Sequence, residues 1–155
     1  MNTPWREDPQ LKARFSPDYP DDLQVLVHEG GPRMSDNYPE VMWVKVQGMK
    51  DQVYIGTLLN EPRGLATVKQ GDPILFMVAE GYKYPLRVTE KYLAERRIWD
   101  VKPCDGCGLA ELFDAPSDLI KKIFTSAPEG WSAELFASFC PICGGVQIVS
   151  AKQVP

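Results

Sequence analysis

The sequence holds a single histidine, His28, and only four cysteines, and both scarcities set limits. One imidazole excludes a metal cluster built on several histidines. As a general base, His28 would need a nucleophile and an orienting group beside it; at the end of a strand-like run it reads as a structural residue. No stretch approaches the roughly 18 apolar residues that a membrane span requires. The opening Met1-Asn2-Thr3-Pro4-Trp5-Arg6-Glu7-Asp8 has neither the basic nor the apolar segment of a signal peptide. The expectation is a soluble, cytoplasmic chain without a membrane partner, in a compartment that keeps thiols reduced.

An excess of positive charge is also missing: 17 Lys and Arg stand against 21 Asp and Glu, a net charge of −4. A protein that grips a phosphate backbone presents a basic face, so a nucleic-acid partner is not expected. The one locally basic stretch carries Arg87, Lys91, Arg96, Arg97 and Lys102 among Glu90, Glu95 and Asp100. It reads as a solvated helix face rather than an anion site.

What is present is concentrated in one place. All four cysteines fall in two Cys-x-x-Cys turns, Cys104-Asp105-Gly106-Cys107-Gly108 and Cys140-Pro141-Ile142-Cys143-Gly144-Gly145. Two such pairs match the ligand set of a four-thiolate zinc site, in which each tight turn delivers two sulfurs to a tetrahedral ion. The glycine after each pair suits a left-handed backbone that turns amides toward the thiolates. Cys104, Cys107, Cys140 and Cys143 are therefore the expected ligands of a structural Zn2+. An iron or iron–sulfur site uses the same ligands. The sharper rival is thiol redox chemistry at Cys140 and Cys143, because Cys140-Pro141-Ile142-Cys143 has the Cys-Pro-x-Cys form of glutaredoxin-like enzymes. Those motifs open a helix that lowers the thiol pKa, whereas Val146-Gln147-Ile148-Val149 here reads as strand.

Fourteen prolines and twelve glycines point to short elements and many turns, and a hydrophobic content of 44% is enough for a core. The expected fold is α+β: a small curved antiparallel sheet or partial barrel over residues 1–103, then a zinc-ribbon-like module with a short helix over 104–155, packed with it. Leu23–His28 reads as a strand stopped by Gly30-Gly31-Pro32. Val41–Gln47 alternates, with Met42, Val44 and Val46 on one face and Trp43, Lys45 and Gln47 on the other. Gly48-Met49-Lys50-Asp51 is the expected turn, and Val53, Ile55, Thr57 and Leu59 share one side of the next strand. Ile74–Val78 and Leu86–Thr89 are further strands, and Thr89 precedes a helix over Glu90–Arg97. A short helix is also expected over Pro9–Arg14, with Trp5, Leu11 and Phe15 pinning the segment to the core.

Between Cys107 and Cys140 lie 32 residues, more than the roughly 15–20 of a compact ribbon, so this insert must carry structure. Asp114-Ala115-Pro116-Ser117 is a helix start with proline in the first turn. Leu119, Ile120, Ile123 and Phe124 follow on one face, and Pro128-Glu129-Gly130 ends the unit. Glu134–Phe139 and Val146–Val149 flank the second knuckle. Asn60, Glu61 and Asp72 read as turn formers, Asp18, Asp21 and Asp22 as a solvated acidic turn, and Trp43, Tyr54, Phe76 and Trp99 as core.

Glu40-Val41-Met42-Trp43-Val44-Lys45-Val46, Tyr54-Ile55-Gly56-Thr57-Leu58-Leu59-Asn60-Glu61-Pro62 and Gly71-Asp72 before an apolar strand together resemble the YegJ-like bacterial domain of unknown function. The resemblance spans about residues 40–80 and excludes the cysteine-bearing tail. It implies a β-domain and no particular chemistry. With no complete catalytic set in view, the functional expectation is a non-enzymatic interaction or regulatory module with a protein partner. A thiol-dependent oxidoreductase and a nucleic-acid-binding zinc ribbon are the alternatives.

Overall fold

The computed structural model describes residues 3–28, 38–128 and 133–152, and the chain is α+β, folded as two compact units. One unit gathers the described residues up to Val78 together with Tyr84–Thr89; the other gathers Ala79–Lys83 and the described residues from Glu90 onward. The stretch from Glu90 to Pro103 thus groups with the cysteines, where the sequence reading had grouped it with the β-rich half. The expected stops at Gly30-Gly31-Pro32 and Glu129-Gly130 lie outside the described residues.

In the first unit β1 (Asp22–Val27), β2 (Glu40–Lys50), β3 (Val53–Leu58), β4 (Pro73–Met77) and β5 (Leu86–Val88) close into a barrel in chain order. Successive strands are antiparallel, and β1 meets β5 in parallel through Leu26 and Leu86. The parity of the meander dictates this, since the first and last of five alternating strands point the same way. The partial barrel of the sequence reading is therefore a closed one. β2 makes closure possible by pairing with β1 over Glu40–Lys45 and with β3 over Val44–Lys50, with a register shift between Val46 and Gly48. Such a bulge bends a strand and increases its twist.

Met42, Val44 and Val46 face the core and Trp43, Lys45 and Gln47 face outward, as the alternation requires. Two local expectations are corrected. The turn is not Gly48–Asp51: β2 runs to Lys50, and Asp51 and Gln52 turn the chain with φ of 53° and 71°. Two left-handed residues between paired strands are the geometry of a tight hairpin turn. Gly48 instead serves the bulge, where a Cβ would lie 2.9 Å from Ile55 Cγ2. On β3 the core face is Tyr54, Gly56 and Leu58, the set opposite to the one that Val53, Ile55 and Thr57 suggest. Tyr54 stacks on Phe76 with ring centroids 5.4 Å apart, and its hydroxyl donates to Asp8 Oδ2 at 2.9 Å. The aromatic body is buried and its polar tip is satisfied.

In place of the helix expected over Pro9–Arg14 there is a 3-10 turn, Lys12–Arg14, and another 3-10 turn, Pro4–Glu7, precedes it. They still bury Trp5 and Leu11 and pack Phe15 against the core. Asp21 is the anchor, and it corrects the solvated-turn reading. Its carboxylate accepts Trp5 Nε1 at 2.8 Å and Arg6 Nε at 2.7 Å. The Arg6 guanidinium, first among several causes, holds the Asp21 carboxyl down at about 2.

In the second unit β6 (Trp99–Val101), β7 (Leu135–Phe139) and β8 (Val146–Ala151) form an antiparallel sheet of order β6-β8-β7, with α1 (Glu90–Arg96) and α2 (Pro116–Ile123). Trp99 meets Phe136 edge to face at 5.6 Å, and Leu109, Leu112, Phe113, Leu119, Ile120 and Val149 are buried. α2 starts at Pro116 as expected, but its apolar stripe ends early, because Ile123 is exposed. Glu95 of α1 compensates for the missing cap on Ala115 by accepting Ser117 N at 2.7 Å and Ser117 Oγ at 2.6 Å. Among the described residues, no helix is long and apolar enough to cross a membrane.

Candidate metal centre

The two Cys-x-x-Cys turns are built on one backbone plan. In the first, Cys104 N donates to Leu109 O at 2.9 Å and Gly108 N to Cys104 O at 2.9 Å. In the second, Cys140 N donates to Gly145 O at 2.7 Å and Gly144 N to Cys140 O at 2.9 Å. Gly108 and Gly144 hold equivalent places at φ of 84° and 80°, where a side chain would be strained. This reversal exposes amides to sulfur: Gly106 N and Gly145 N each lie 3.3 Å from a thiol sulfur, those of Cys104 and Cys143. The second turn joins β7 to β8, and the first follows β6, which pairs with β8. One strand therefore places both turns at the same end of the sheet.

Cys104, Cys107, Cys140 and Cys143 bring their sulfurs within 4.8 Å of one another. Cys104 Sγ is 3.4 Å from Cys143 Sγ, and Cys107 Sγ is 3.7 Å from Cys140 Sγ. A tetrahedral ion with sulfurs at about 2.3 Å sets its ligands about 3.8 Å apart, so the spacing fits one ion held by four thiolates. The backbone has been cleared for this approach. A Cβ on Gly106 would come 2.8 Å from Cys143 Sγ, and one on Gly145 would come 2.6 Å from Cys104 Sγ. Both close sulfur pairs run between the turns rather than within either of them.

Electrostatics separate the thiols. The amides of Cys107 and Gly106, with the neighbouring thiols, hold the Cys104 thiol down at about 7, whereas desolvation pushes Cys107 up to about 12. Four adjacent thiols cannot all ionise against one another, and a bound dication reverses that logic by deprotonating each ligand. Cys104 and Cys140 are buried, Cys107 is half-buried and Cys143 is exposed.

Side chains other than the thiols lock the frame. Asp105 Oδ1 accepts Val146 N at 2.8 Å, and Asp105 N donates to Val146 O at 3.1 Å, tying the first turn to the strand that leaves the second. Gln147, fully buried, donates through Nε2 to Leu109 O at 3.1 Å and Glu111 O at 2.9 Å. Glu111 in turn holds Arg96 through two bonds of 2.8 and 2.7 Å and accepts Tyr92 OH at 2.6 Å. Only Asp105 was within reach of sequence reasoning, since Asp beside a knuckle cysteine is a turn former; the others depend on long-range pairing.

The remaining sequence candidates lie elsewhere. His28 is buried, and its Nε2 lies 2.6 Å from Arg87 O, so that nitrogen carries the proton and the ring is a structural donor. The basic stretch is not a free solvated face: Arg96 pairs with Glu111, Lys91 Nζ with Asp118 Oδ1 at 2.6 Å, and Arg87 Nη1 donates to His28 O at 2.8 Å. Asp72 Oδ2 accepts Lys69 N at 2.9 Å and acts in its turn as expected, whereas Asn60 is not a local turn former: its Oδ1 accepts Trp43 N of β2 at 2.8 Å, seventeen residues away. Trp43 is not core: it is 37% exposed. With Tyr19, Asp22 and Asn60 it borders an open cleft of about 290 Å³ on the barrel.

Comparison with known proteins finds no matching family model, no matching curated protein and no matching solved structure.

Proposed function

We propose that this chain is a non-enzymatic interaction or regulatory module whose second unit is stabilised by a structural zinc ion in a zinc-ribbon-like site. The observation that carries the reading is the convergence of all four cysteine sulfurs within 4.8 Å. A four-thiolate site is coordinatively closed, leaves no position for water or substrate, and contributes folding free energy. The ion would join β6 to the β7–β8 hairpin and add cross-linking to a unit small enough for its core to give only marginal stability. A reducing cytoplasmic setting and a protein partner belong to the same reading, as does the likeness of residues 40–80 to the YegJ-like domain.

Two features favour metal over thiol redox catalysis at Cys140 and Cys143. Cys140, which would be the attacking thiol, is only 3% exposed. The second turn leads into a strand, so no helix N-terminus acts on its sulfurs. A nucleic-acid role loses support because Arg96 is committed to Glu111.

The test is metal content of tag-free protein, with thiol titration before and after chelation. One zinc per chain and four thiols masked until chelation are expected. Metal-free protein with one unusually reactive thiol would overturn the reading and make Cys140 the residue to mutate. Iron in place of zinc would keep the ligand set and change the cofactor.

A further inference from the structure

The geometry points to a second copy of this chain as the partner of strand β7, through an antiparallel pairing of β7 with β7 about a two-fold axis at Ala137. β7 is an edge strand, with β8 on one side and no described strand on the other. Natural edges are blunted by charge, proline or a bulge. Leu135-Phe136-Ala137-Ser138-Phe139 has none of these, and its register with β8 runs without a shift.

The hydrogen bonds at the two ends of the pair fix which backbone groups are open. Ala151 N donates to Glu134 O, and Cys140 N donates to Gly145 O. With the antiparallel alternation, Glu134, Phe136, Ser138 and Cys140 direct their N–H and C=O at β8. Leu135, Ala137 and Phe139 direct theirs at the open edge. Pairing about Ala137 sets Leu135 opposite the partner's Phe139 and Ala137 opposite the partner's Ala137. These are the residues whose groups are open, so every donor meets an acceptor in about six reciprocal bonds.

The side chains agree with the backbone. Leu135 and Phe139 are 64% and 72% exposed and lie with Ala137 on one face of the strand. In the dimer these stripes adjoin as apolar cross-strand pairs, which stabilise a sheet. Charge selects the direction. A parallel in-register pairing would stack Glu134 on the partner's Glu134, whereas the antiparallel one sends them to opposite ends. The sheet β6-β8-β7 becomes six-stranded and isologous, as a two-fold dimer requires.

This inference specifies the partner for the interaction reading above and rests on that reading, but it does not require the metal to be zinc. One strand pair buries little surface, so the expected dissociation constant is of order ~10–100 µM. Light scattering of the full chain from ~1 to ~500 µM should rise from 17.4 kDa to twice that mass. Ala137→Glu, which sets two carboxylates across the axis, should weaken association more than about tenfold, and the neutral Ala137→Thr should preserve it. Amide exchange at Leu135, Ala137 and Phe139 should slow with concentration in the unaltered chain, which decides the matter if Ala137→Glu does not fold.

A monomer at every concentration, a dimer that Ala137→Glu leaves intact, or protection of these amides in a monomer would each overturn the pairing. Metal content measured on the same samples separates the two readings. A fully metallated monomer removes only the dimer, and a metal-free dimer removes only the zinc.

Discussion

Gly145 and Cys104 touch so closely that a methyl group on Gly145 would sit 2.6 Å from the Cys104 sulfur. The contact joins the second cysteine turn to a ligand of the first, and Gly106 makes the reciprocal approach, with its Cβ position 2.8 Å from Cys143 Sγ. Neither neighbour can yield without leaving the cluster. Gly145→Ala is therefore expected to lower metal affinity about 10–100-fold and stability by about 1–3 kcal/mol. Competition with a chromophoric chelator reads the first and denaturant unfolding the second. A variant that competes for metal as well as the parent would show that the sulfurs are not held at this distance.

Asp105 provides a test of the frame that leaves all four thiols in place. Its Oδ1 accepts the Val146 amide, and removing it hands that donor to water and unties the junction of the two turns. Asp105→Ala should cost about 0.5–1.5 kcal/mol and speed metal release to a chelator. Asp105→Asn keeps an oxygen acceptor and should restore most of both. Equal release rates for the alanine and asparagine variants would exclude this role.

The cysteine cluster was legible because its information is local: two four-residue motifs name both ligand type and turn geometry. The alternation in β2 was legible for the same reason, since Met42, Val44 and Val46 mark a face by themselves. On β3 that logic misled. Val53, Ile55 and Thr57 are β-branched and looked like the core face, yet the small Gly56 lies inside, where a Cβ would come 2.5 Å from Val44 Cγ1. A close approach between strands leaves no periodic signal. Closure of the barrel was hidden too, because it depends on Leu26 meeting Leu86 across the chain. Glu95, read within a solvated helix face, and Glu111 and Gln147, which carry no sequence signal, gain their roles only through distant partners.

Glu95 offers a check on one such partner. Its carboxylate bonds both the amide and the hydroxyl of Ser117 in the first turn of α2, where Ala115 gives no side-chain cap. An anion there satisfies an orphan donor and opposes the positive end of the helix. Glu95→Ala should destabilise the chain by about 1 kcal/mol, and Glu95→Gln should recover part of it through the retained carbonyl oxygen. An alanine variant with unchanged unfolding midpoint would show that α2 is held by Leu119 and Ile120 alone.

His28 gives the fold a pH dependence whose sign follows from its surroundings. Desolvation, the largest cause, lowers its pKa to about 4 from an ordinary 6.5, while its bond to the Arg87 carbonyl opposes the shift. In the unfolded chain the ring protonates near 6.5; in the folded chain it stays neutral until about 4. The stability it contributes is complete above about pH 6.5, declines as pH falls through the window to about 4, and is then constant. At pH 5 the loss is about 2 kcal/mol. Thiolate protonation would release a bound metal over an overlapping range, so the comparison is with His28→Gln, which keeps a donor for Arg87 O and does not titrate. Unfolding free energies at pH 7.5 and 5 should differ more for the parent than for the variant, by about that amount. Parallel slopes would mean that His28 is solvated in the folded chain and that its 2.6 Å approach to Arg87 O does not persist in solution.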